Sequence, residues 1–411
     1  MELLTSRFLY GPVPAAEGYR VDESFYRRSA ARGLDAPGRR AFKAAEHLVD
    51  MLRFRRAAAR SSPAAPGEGH SATGSSGAAT AAAPDVIHYQ WLTMPSLDAL
   101  LLPPIRPRVI TAHYILPPRP SRRQVAAARR VFGRMDAVIA HSEHGARRLR
   151  EEVGLDPGRV HVIHHGAFDY LTRLPEERPL PPELAGGGPK DRSEDSRVRS
   201  VPADPPRGGS RTDPQPAGVE AAEPESPAEV TGPPVILFFG LLRPYKGIDT
   251  LLRAFRRLGA EAELWIAGNP RMDTAPLRRL ATEAPGRVRF LERFVEDAEI
   301  PALMRRADVV VLPYRDAEHS GVLYTALAFG KPMVLSAVGG FPEVAATGAA
   351  RLVPPEDPAA LAAALDELVR DESARTELAE AATRAATGSY SWDEAASQTL
   401  TLYRDLLEKG G

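Results

Sequence analysis

Cysteine is absent from this chain of 411 residues. Its absence excludes disulfide bonds and thiolate metal sites and is compatible with a reducing cytosol. Net charge is absent too, because 53 basic residues balance 53 acidic ones, so no chain-wide field attracts nucleic acid. The sequence also lacks any run of about 18 apolar residues, the length that a membrane-spanning helix needs. These absences favour a cytoplasmic protein that does not bind nucleic acid.

Two segments contain few large apolar side chains. Residues 58–84 consist mostly of Ala, Ser, Gly and Pro, and residues 179–234 combine Pro, Gly and Ser with charged residues. Neither composition can bury enough apolar surface to offset the entropy lost on ordering. We therefore predict a surface insertion at 58–84 within an amino-terminal domain of residues 1–178, followed by a disordered linker over 179–234.

Short and nearly continuous runs of Val, Ile and Leu recur on both sides of the expected linker. Such runs predict parallel strands covered on both faces. They lie at 86–91, 108–116, 136–142 and 159–166, and again at 235–242, 262–268, 287–294, 308–314, 331–338 and 350–355. Helical patterns alternate with the later runs, at 249–258, 275–284, 298–307 and 358–371. This alternation predicts an α/β protein with two parallel sheets, a second domain over 235–392, and a ligand cleft beyond the strand ends.

The segment after the strand at 235–242 has the composition of an anion site. Gly240 is followed by Arg243 and Lys246, and a helical pattern begins near Gly247, with Asp249 expected as its N-cap. Two cations beside the free N–H groups of a helix suit a diphosphate. Solvated surface charges are the ordinary alternative. We favour the diphosphate because a second anion site follows in the same half of the chain.

That second site lies in LPYRDAEHSGVLYTALAFGKPMVLSAVGG. A strand ends at Tyr314, and Ser320 and Gly321 open a helix whose first N–H groups, those of Val322 and Leu323, are free for an anion. A glycine pair at 339–340 lets backbone approach a ligand after the next strand. Ordinary α/β turns explain each glycine singly but not the whole array.

Histidines end two of the first-half strands. His113 closes the run at 108–116, where it can contact a sugar hydroxyl or a phosphate; a hydrogen-bonded core histidine is the alternative. His164 and His165 are adjacent on a strand, so their side chains point to opposite faces and lack metal-ligand spacing. For His165 and Gly166 a hinge or cleft-lining role stays open. The sequence predicts no metal site.

Two stretches of the first half are basic. Residues 27–60 hold ten Arg and Lys against three acids, and residues 119–134 hold six Arg and no acid. Two interpretations stay open: a solvated surface, or peripheral contact with an anionic membrane or a lipid-diphosphate acceptor.

Together these motifs resemble the retaining glycosyltransferase family 4, the group 1 glycosyltransferases, which have the GT-B fold of two Rossmann-like domains. The resemblance implies that Arg243 and Lys246 bind the donor diphosphate, with both also acting in catalysis. It assigns His113 as the catalytic contact to the donor sugar. It further implies that the closing segment 393–411 crosses back to the amino-terminal domain. The remaining donor-binding positions that it implies are Gly240, Phe294, Glu318, Ser320, Gly321, Val322, Leu323 and Thr325.

The sequence departs from the family pattern at three places. The second of the family's two glutamates, which would accept both ribose hydroxyls, is replaced by Thr325, and the loop before it is one residue short. The family's glycine-rich first loop is reduced to Gly11. The family's His-Asp pair is His113-Tyr114 here.

The resemblance implies transfer of a sugar from a nucleotide-diphosphate sugar to an acceptor hydroxyl, with no cofactor or metal beyond that co-substrate. The departures motivate an alternative from another class, a non-catalytic GT-B protein that binds nucleotide or glycan as a partner subunit. A nucleotide-sugar epimerase of the same architecture is a third hypothesis.

Overall fold

The computed structural model describes residues 2–6, 20–30, 39–60, 84–92, 94–174, 179–185, 232–284 and 286–410. Gly11, most of the insertion expected at 58–84 and most of the linker expected at 179–234 lie outside these ranges. Within them, no helix combines the length and apolarity that crossing a membrane requires.

The amino-terminal lobe is built on a four-stranded parallel sheet, which follows a separate parallel pair formed by β1 (Glu2–Ser6) and β2 (Arg20–Phe25). Its strands lie in chain order: β3 (Ile87–Tyr89), β4 (Arg108–Thr111), β5 (Ala137–Ala140) and β6 (Val160–Val162). Every residue of β4 and β5 is buried, as continuous apolar runs predict. The helices are α1 (Arg27–Ala30), α2 (Arg39–Arg60), α3 (Pro95–Leu101), α4 (Arg122–Phe132) and α5 (Glu143–Glu151).

The carboxyl-terminal lobe contains a six-stranded parallel sheet. Its strands are β7 (Val235–Phe239), β8 (Glu263–Ala267), β9 (Arg287–Leu291), β10 (Val309–Leu312), β11 (Met333–Ser336) and β12 (Ala350–Val353). Its helices are α6 (Ile248–Phe255), α7 (Ala275–Thr282), α8 (Ile300–Arg306), α9 (Gly321–Ala328), α10 (Phe341–Val344), α11 (Pro358–Arg370) and α12 (Glu372–Thr387).

The strand order of this second sheet is β12-β11-β10-β7-β8-β9. The order reverses between β7 and β10, and such a switch point opens a crevice at the carboxyl ends of the strands. The two predicted anion sites follow β7 and β10, so the topology places both at this crevice. The α/β class with two parallel sheets is confirmed.

Three local expectations differ from the structure. Helix α2 continues to Arg60 with Ala58 buried, so residues 58–60 are helical. Leu184, inside the expected linker, is 1% exposed in the core of the carboxyl-terminal lobe, because a few apolar residues find partners that average composition conceals. Gly247, rather than Asp249, caps α6, and Asp249 accepts two 2.8 Å hydrogen bonds from Arg315.

The last helix, α13 (Trp392–Gly410), packs on the sheet of the amino-terminal lobe. Leu402 is buried among Val109, Ala137, Ile139 and Ile163. The Tyr403 hydroxyl lies 2.6 Å from Nδ1 of His88 on β3. The chain therefore enters the second lobe and returns to the first, which ties the two sides of the cleft together.

Candidate active site

Lys246 lies at the switch point in the loop that follows β7. Its side chain is buried, and its ammonium sits 4.8 Å from the ring centroid of Tyr314. No ion-pair partner for it occurs among the described residues. Burial, assisted by the nearby positive charge of Arg243, lowers the pKa of Lys246 to about 8. A buried cation without an internal counter-charge is costly to the fold and is poised for an external anion.

Gly240 allows this cation to approach the start of α9. Its φ of 110° lies in a region that favours glycine. A Cβ at Gly240 would stand 3.0 Å from both Lys246 Nζ and Val322 Cγ2. The ammonium and the first turn of α9 thus converge on one place. The two segments for which sequence predicts anion sites therefore lie next to each other, and anion binding there stays a prediction.

The first turn of α9 is not capped by its own side chain. Ser320, the N-cap residue, makes no capping hydrogen bond, and its hydroxyl lies 3.3 Å from the Tyr314 hydroxyl. The leading N–H groups, including those of Gly321, Val322 and Leu323, have no intrahelical acceptor. An oxyanion placed beside Lys246 would meet these groups and the positive end of the helix dipole.

Thr325 is turned into its own helix. The residue is 4% exposed, and its hydroxyl donates to the Gly321 carbonyl at 2.9 Å. This bond uses the only hydrogen that the side chain can donate. The part assigned to Thr325 in ribose binding stays a prediction.

Arg243 and Phe294 are both exposed at the same edge of the sheet. Arg243 immediately precedes the short turn at Pro244–Lys246, and Phe294, 57% exposed, follows β9. Their exposure leaves both free to contact a ligand, and their roles stay predictions.

His113 belongs to a cluster of four imidazoles at the cleft. His141 Nε2 lies 3.2 Å from His113 Nδ1, and His319 contributes Nε2 at 2.7 Å from the His113 carbonyl. The ring of His165 is 5.1 Å from that of His141. Burial lowers the pKa of His113 to about 4 and that of His141 to about 3. Both rings are therefore neutral near pH 7 and act as hydrogen-bonding groups rather than cations.

The proton positions within this cluster follow from its carbonyl contact. His141 Nδ1 donates to the Ile163 carbonyl at 3.0 Å, so a neutral His141 accepts at Nε2 from His113 Nδ1. His113 Nε2 then accepts, so the Gln90 amide, whose Oε1 stands 3.0 Å away, must turn to present its NH2 group. In the described part of the chain, no group of three or more His, Cys, Asp or Glu side chains is arranged so that it could hold a metal ion.

Glu318 lies across the cleft from helix α5 and pairs with Arg148. Burial raises the pKa of Glu318 to about 7, and the Arg148 guanidinium opposes that rise. Arg148 also donates a 2.8 Å hydrogen bond to Glu152, the residue that follows α5. Because burial and the Arg148 guanidinium act on its pKa in opposite directions, the Glu318 carboxyl changes charge near neutral pH.

Several residues at the cleft were not singled out from sequence as site residues. His141 directly follows β5, whereas Arg148 lies within α5, His319 in the loop after β10 and Glu343 on α10, so a place in the segment after a strand is the one signal that sequence offers. That signal is weak, because contacts between the lobes join residues about 200 positions apart.

Two family models match, one for each lobe. The model described as Glycosyltransferase Family 4 matches residues 31–167, and the model described as Glycosyl transferases group 1 matches residues 233–371. The two matches fall on either side of the segment that was expected to be a linker.

Curated relatives include a D-inositol 3-phosphate glycosyltransferase from Xylanimonas cellulosilytica, 30% identical over 70% of this chain and 60% of the relative. They also include a phosphatidyl-myo-inositol mannosyltransferase from Mycolicibacterium smegmatis, 36% identical over 43% of this chain and 46% of the relative. The matches thus span about half to three fifths of these relatives' lengths.

Solved structures of similar fold include HepE from Anabaena in complex with UDP-glucose. That comparison has a TM-score of 0.56 and 19% identity, covering 78% of this chain and 79% of HepE. WaaG, a glycosyltransferase involved in lipopolysaccharide biosynthesis, has a TM-score of 0.55 and 14% identity, covering 94% of this chain and 87% of WaaG. At such identities the likeness shows the fold alone. With both lobes matched by their family models, the chain belongs to the group 1 glycosyltransferases of family 4, with the GT-B fold.

Proposed function

We propose that this protein is a retaining glycosyltransferase that moves a sugar from a nucleotide-diphosphate sugar to an acceptor hydroxyl. The observation that carries the proposal is the buried Lys246 ammonium, which has no counter-charge among the described residues and adjoins the uncapped start of α9. A diphosphate satisfies both groups at once. The retaining course is implied by the family resemblance.

In the proposed reaction the bond between the anomeric carbon and the diphosphate oxygen breaks, and a bond to the acceptor oxygen forms. Negative charge grows on the departing diphosphate, where Lys246 and Arg243 neutralise it together with the N–H groups of α9. The acceptor proton leaves to the released diphosphate or to water. Neutral His113 orients the sugar or the diphosphate, and ionised Glu318 accepts hydrogen bonds from sugar hydroxyls. Closure of the lobes excludes water from the reacting atoms.

The relatives suggest the first compounds to test. HepE was solved with UDP-glucose, and two relatives are named for inositol-bearing acceptors. We propose UDP-sugars and GDP-mannose, which a further relative's name gives as its donor, as the first donors and inositol phosphates as the first acceptors. These relatives are 36% identical or less over parts of their length. The nucleotide base of the donor, the transferred sugar and the acceptor are therefore determined by experiment.

A thermal-shift screen against UDP, GDP, ADP and their sugars tests the donor site directly, because stabilisation grows with ligand occupancy. We expect a rise in the unfolding temperature with at least one nucleotide. Arg243→Ala and Lys246→Ala should each abolish most of that rise and most of the transferase activity. Arg257→Ala, which changes an exposed arginine of the same lobe, is the matched control. A protein that no nucleotide stabilises and that releases no sugar from any donor would disprove the proposal.

The alternative, a non-catalytic subunit, makes a different prediction in the same screen. It expects nucleotide to bind with the same dependence on Lys246 but no sugar to be transferred or hydrolysed with any acceptor. Isomerised nucleotide sugar without acceptor would instead indicate an epimerase.

We also propose that the amino-terminal lobe contacts an anionic membrane surface. Six arginines on and around α4 are exposed, and none of them pairs with a carboxylate of the described residues: Arg119, Arg122, Arg123, Arg129, Arg130 and Arg134. Each basic residue near an anionic surface adds about 1 kcal/mol of attraction. Sedimentation with vesicles containing phosphatidylglycerol should exceed sedimentation with phosphatidylcholine and fall in an Arg122→Ser/Arg129→Ser/Arg130→Ser variant. Equal sedimentation with both lipids would favour the solvated surface.

A further inference from the structure

Helix α5 of the amino-terminal lobe receives its cap from the other lobe. The side chain of Ser142 accepts the Gly145 N–H at 3.0 Å, which satisfies one first-turn donor locally. The N–H groups of Glu143 and His144 instead donate to the two carboxylate oxygens of Glu343, at 2.8 and 2.9 Å. Glu343 lies on α10, 200 positions after Glu143. One carboxylate therefore joins the two sides of the cleft with both of its oxygens.

This contact has a defined geometry and a favourable charge. A carboxylate at a helix amino terminus interacts with the positive end of the dipole, and hydrogen bonds to an ionised acceptor are stronger than neutral ones. Because both oxygens are held by consecutive N–H groups, the carboxylate plane fixes the direction from which α10 meets α5. Opening the cleft breaks both bonds together.

The contact between Glu343 and α5 is linked by hydrogen bonds to Glu318 and His319 of the candidate site. The Gly340 N–H, just before α10, donates to the Glu318 carbonyl at 3.2 Å, so the Glu318 loop and α10 move together. That loop carries Glu318 to Arg148 of α5 and His319 to the His113 carbonyl. The angle at which α10 meets α5 thus sets where the carboxyl-terminal lobe stands relative to His113.

We propose that Glu343 is a positioning residue: it caps α5 across the cleft and so sets the closed arrangement in which His113 faces the bound donor. The inference rests on the proposed glycosyl transfer. Among the described residues, Glu343 makes no hydrogen bond or ion pair with Lys246 or with the first turn of α9, and it acts through the alignment of the lobes. Nucleotide affinity, which the carboxyl-terminal lobe supplies, should therefore be insensitive to it, whereas turnover should depend on it.

The test compares Glu343→Ala and Glu343→Gln with the wild-type protein and with Glu377→Ala, an exposed control on the same lobe. For Glu343→Ala we expect kcat to fall about 10- to 100-fold, because the closed population loses two charge-assisted bonds. The dissociation constant for the best-binding nucleoside diphosphate should stay within about twofold, since the lost bonds lie between the lobes. Glu343→Gln keeps one acceptor oxygen and should recover part of kcat. Small-angle scattering should give a larger radius of gyration for Glu343→Ala than for the wild type.

Three outcomes would overturn the inference. One is a Glu343→Ala protein with wild-type kcat and an unchanged radius of gyration. Another is equal loss of nucleotide binding and kcat, which would indicate a role in folding of the carboxyl-terminal lobe. The third is a Glu343→Gln variant no better than Glu343→Ala. If the wild type binds no nucleotide, the proposed function fails by itself, and the scattering comparison still decides whether Glu343 holds the lobes together.

Discussion

Lys246 and Tyr314 form a cation–π pair at the switch point of the second sheet, with the ammonium 4.8 Å from the ring centroid. The aromatic face partly compensates the buried charge, but it does not replace a counter-ion. The pair therefore holds the cation in place for an anion that arrives from the cleft.

Lys246→Met should stabilise the free protein and abolish nucleotide binding. The pKa of Lys246 is lowered from 10.5 to about 8 in the folded state, so burying its charge costs about 3 kcal/mol below pH 8. Because the unfolded state binds more protons between pH 8 and 10.5, wild-type stability should rise with pH in that window.

Unfolding of both proteins in urea at pH 7 and pH 10 measures this cost. We expect the midpoint of Lys246→Met to exceed that of the wild type at pH 7 and the gap to narrow at pH 10. Nucleotide should shift the midpoint of the wild type only. A methionine variant that is less stable at pH 7 would show that the ammonium has a structural counter-charge.

Arg148→Met should move the acid limb of kcat/KM to higher pH. The pKa of Glu318 is about 7 because burial raises it while Arg148 lowers it, so removal of the guanidinium raises it further. Ionised Glu318 then prevails only at a more alkaline pH, and activity should recover as the pH is raised. A pH–rate profile of each protein provides the measurement.

Glu318→Gln is the companion variant for this profile. Its amide does not titrate, so the limb near pH 7 should vanish while activity falls. Two results would assign the titration to another group. One is an acid limb that persists in Glu318→Gln, and the other is an acid limb that does not shift in Arg148→Met.

Thr325→Val should leave nucleotide affinity unchanged within about a factor of two, since the hydroxyl hydrogen bonds inside α9 rather than to a ligand. Valine keeps the shape of threonine at this buried position and removes only the hydroxyl. Titration calorimetry with the best nucleotide measures the effect. A tenfold loss of affinity would show that the hydroxyl binds the ribose.

Thr325→Glu asks whether the ribose lies against this face of α9. If it does, the carboxylate should gain both ribose hydroxyls and tighten nucleotide binding about tenfold. The same variant without nucleotide should be less stable, because Thr325 is only 4% exposed and a charge there is unpaired. Weaker binding than in the wild type would place the ribose elsewhere.

Gly166→Ala should loosen the return of α13 to the amino-terminal lobe. A Cβ at Gly166 would stand 2.3 Å from Cδ2 of Trp392, so the indole must move. We expect a loss of about 1–3 kcal/mol in the free energy of unfolding, the range typical of overpacking. Denaturant unfolding provides the value.

The double variant Gly166→Ala/Trp392→Ala supplies the control. Removing the indole removes the clash. The double variant should therefore lose less free energy of unfolding than the sum of the losses in the two single variants. Strict additivity would show that the two residues do not press on each other.

Much of the fold could be predicted because buried parallel strands leave a local mark. The runs at 235–242 and 308–314 each contain a stretch that is apolar throughout, 235–239 and 309–312, and these stretches became the central strands β7 and β10. The linker prediction failed at Leu184 for the opposite reason: a single leucine in a polar segment leaves no pattern, and only the surface of the other lobe gave it a place to be buried.

The amino-acid sequence by itself determined the two parallel sheets, the loop with Arg243 and Lys246, and the helix that starts at Gly321. These depend on local periodicity and on residue types at strand ends. Tertiary structure alone decided that Lys246 meets α9 with no counter-charge from the part of the chain that the structure describes, that Glu318 pairs with Arg148, and that Glu343 caps α5. Those contacts join residues brought together by strand order and by the angle between the lobes, and no local pattern of side chains encodes either.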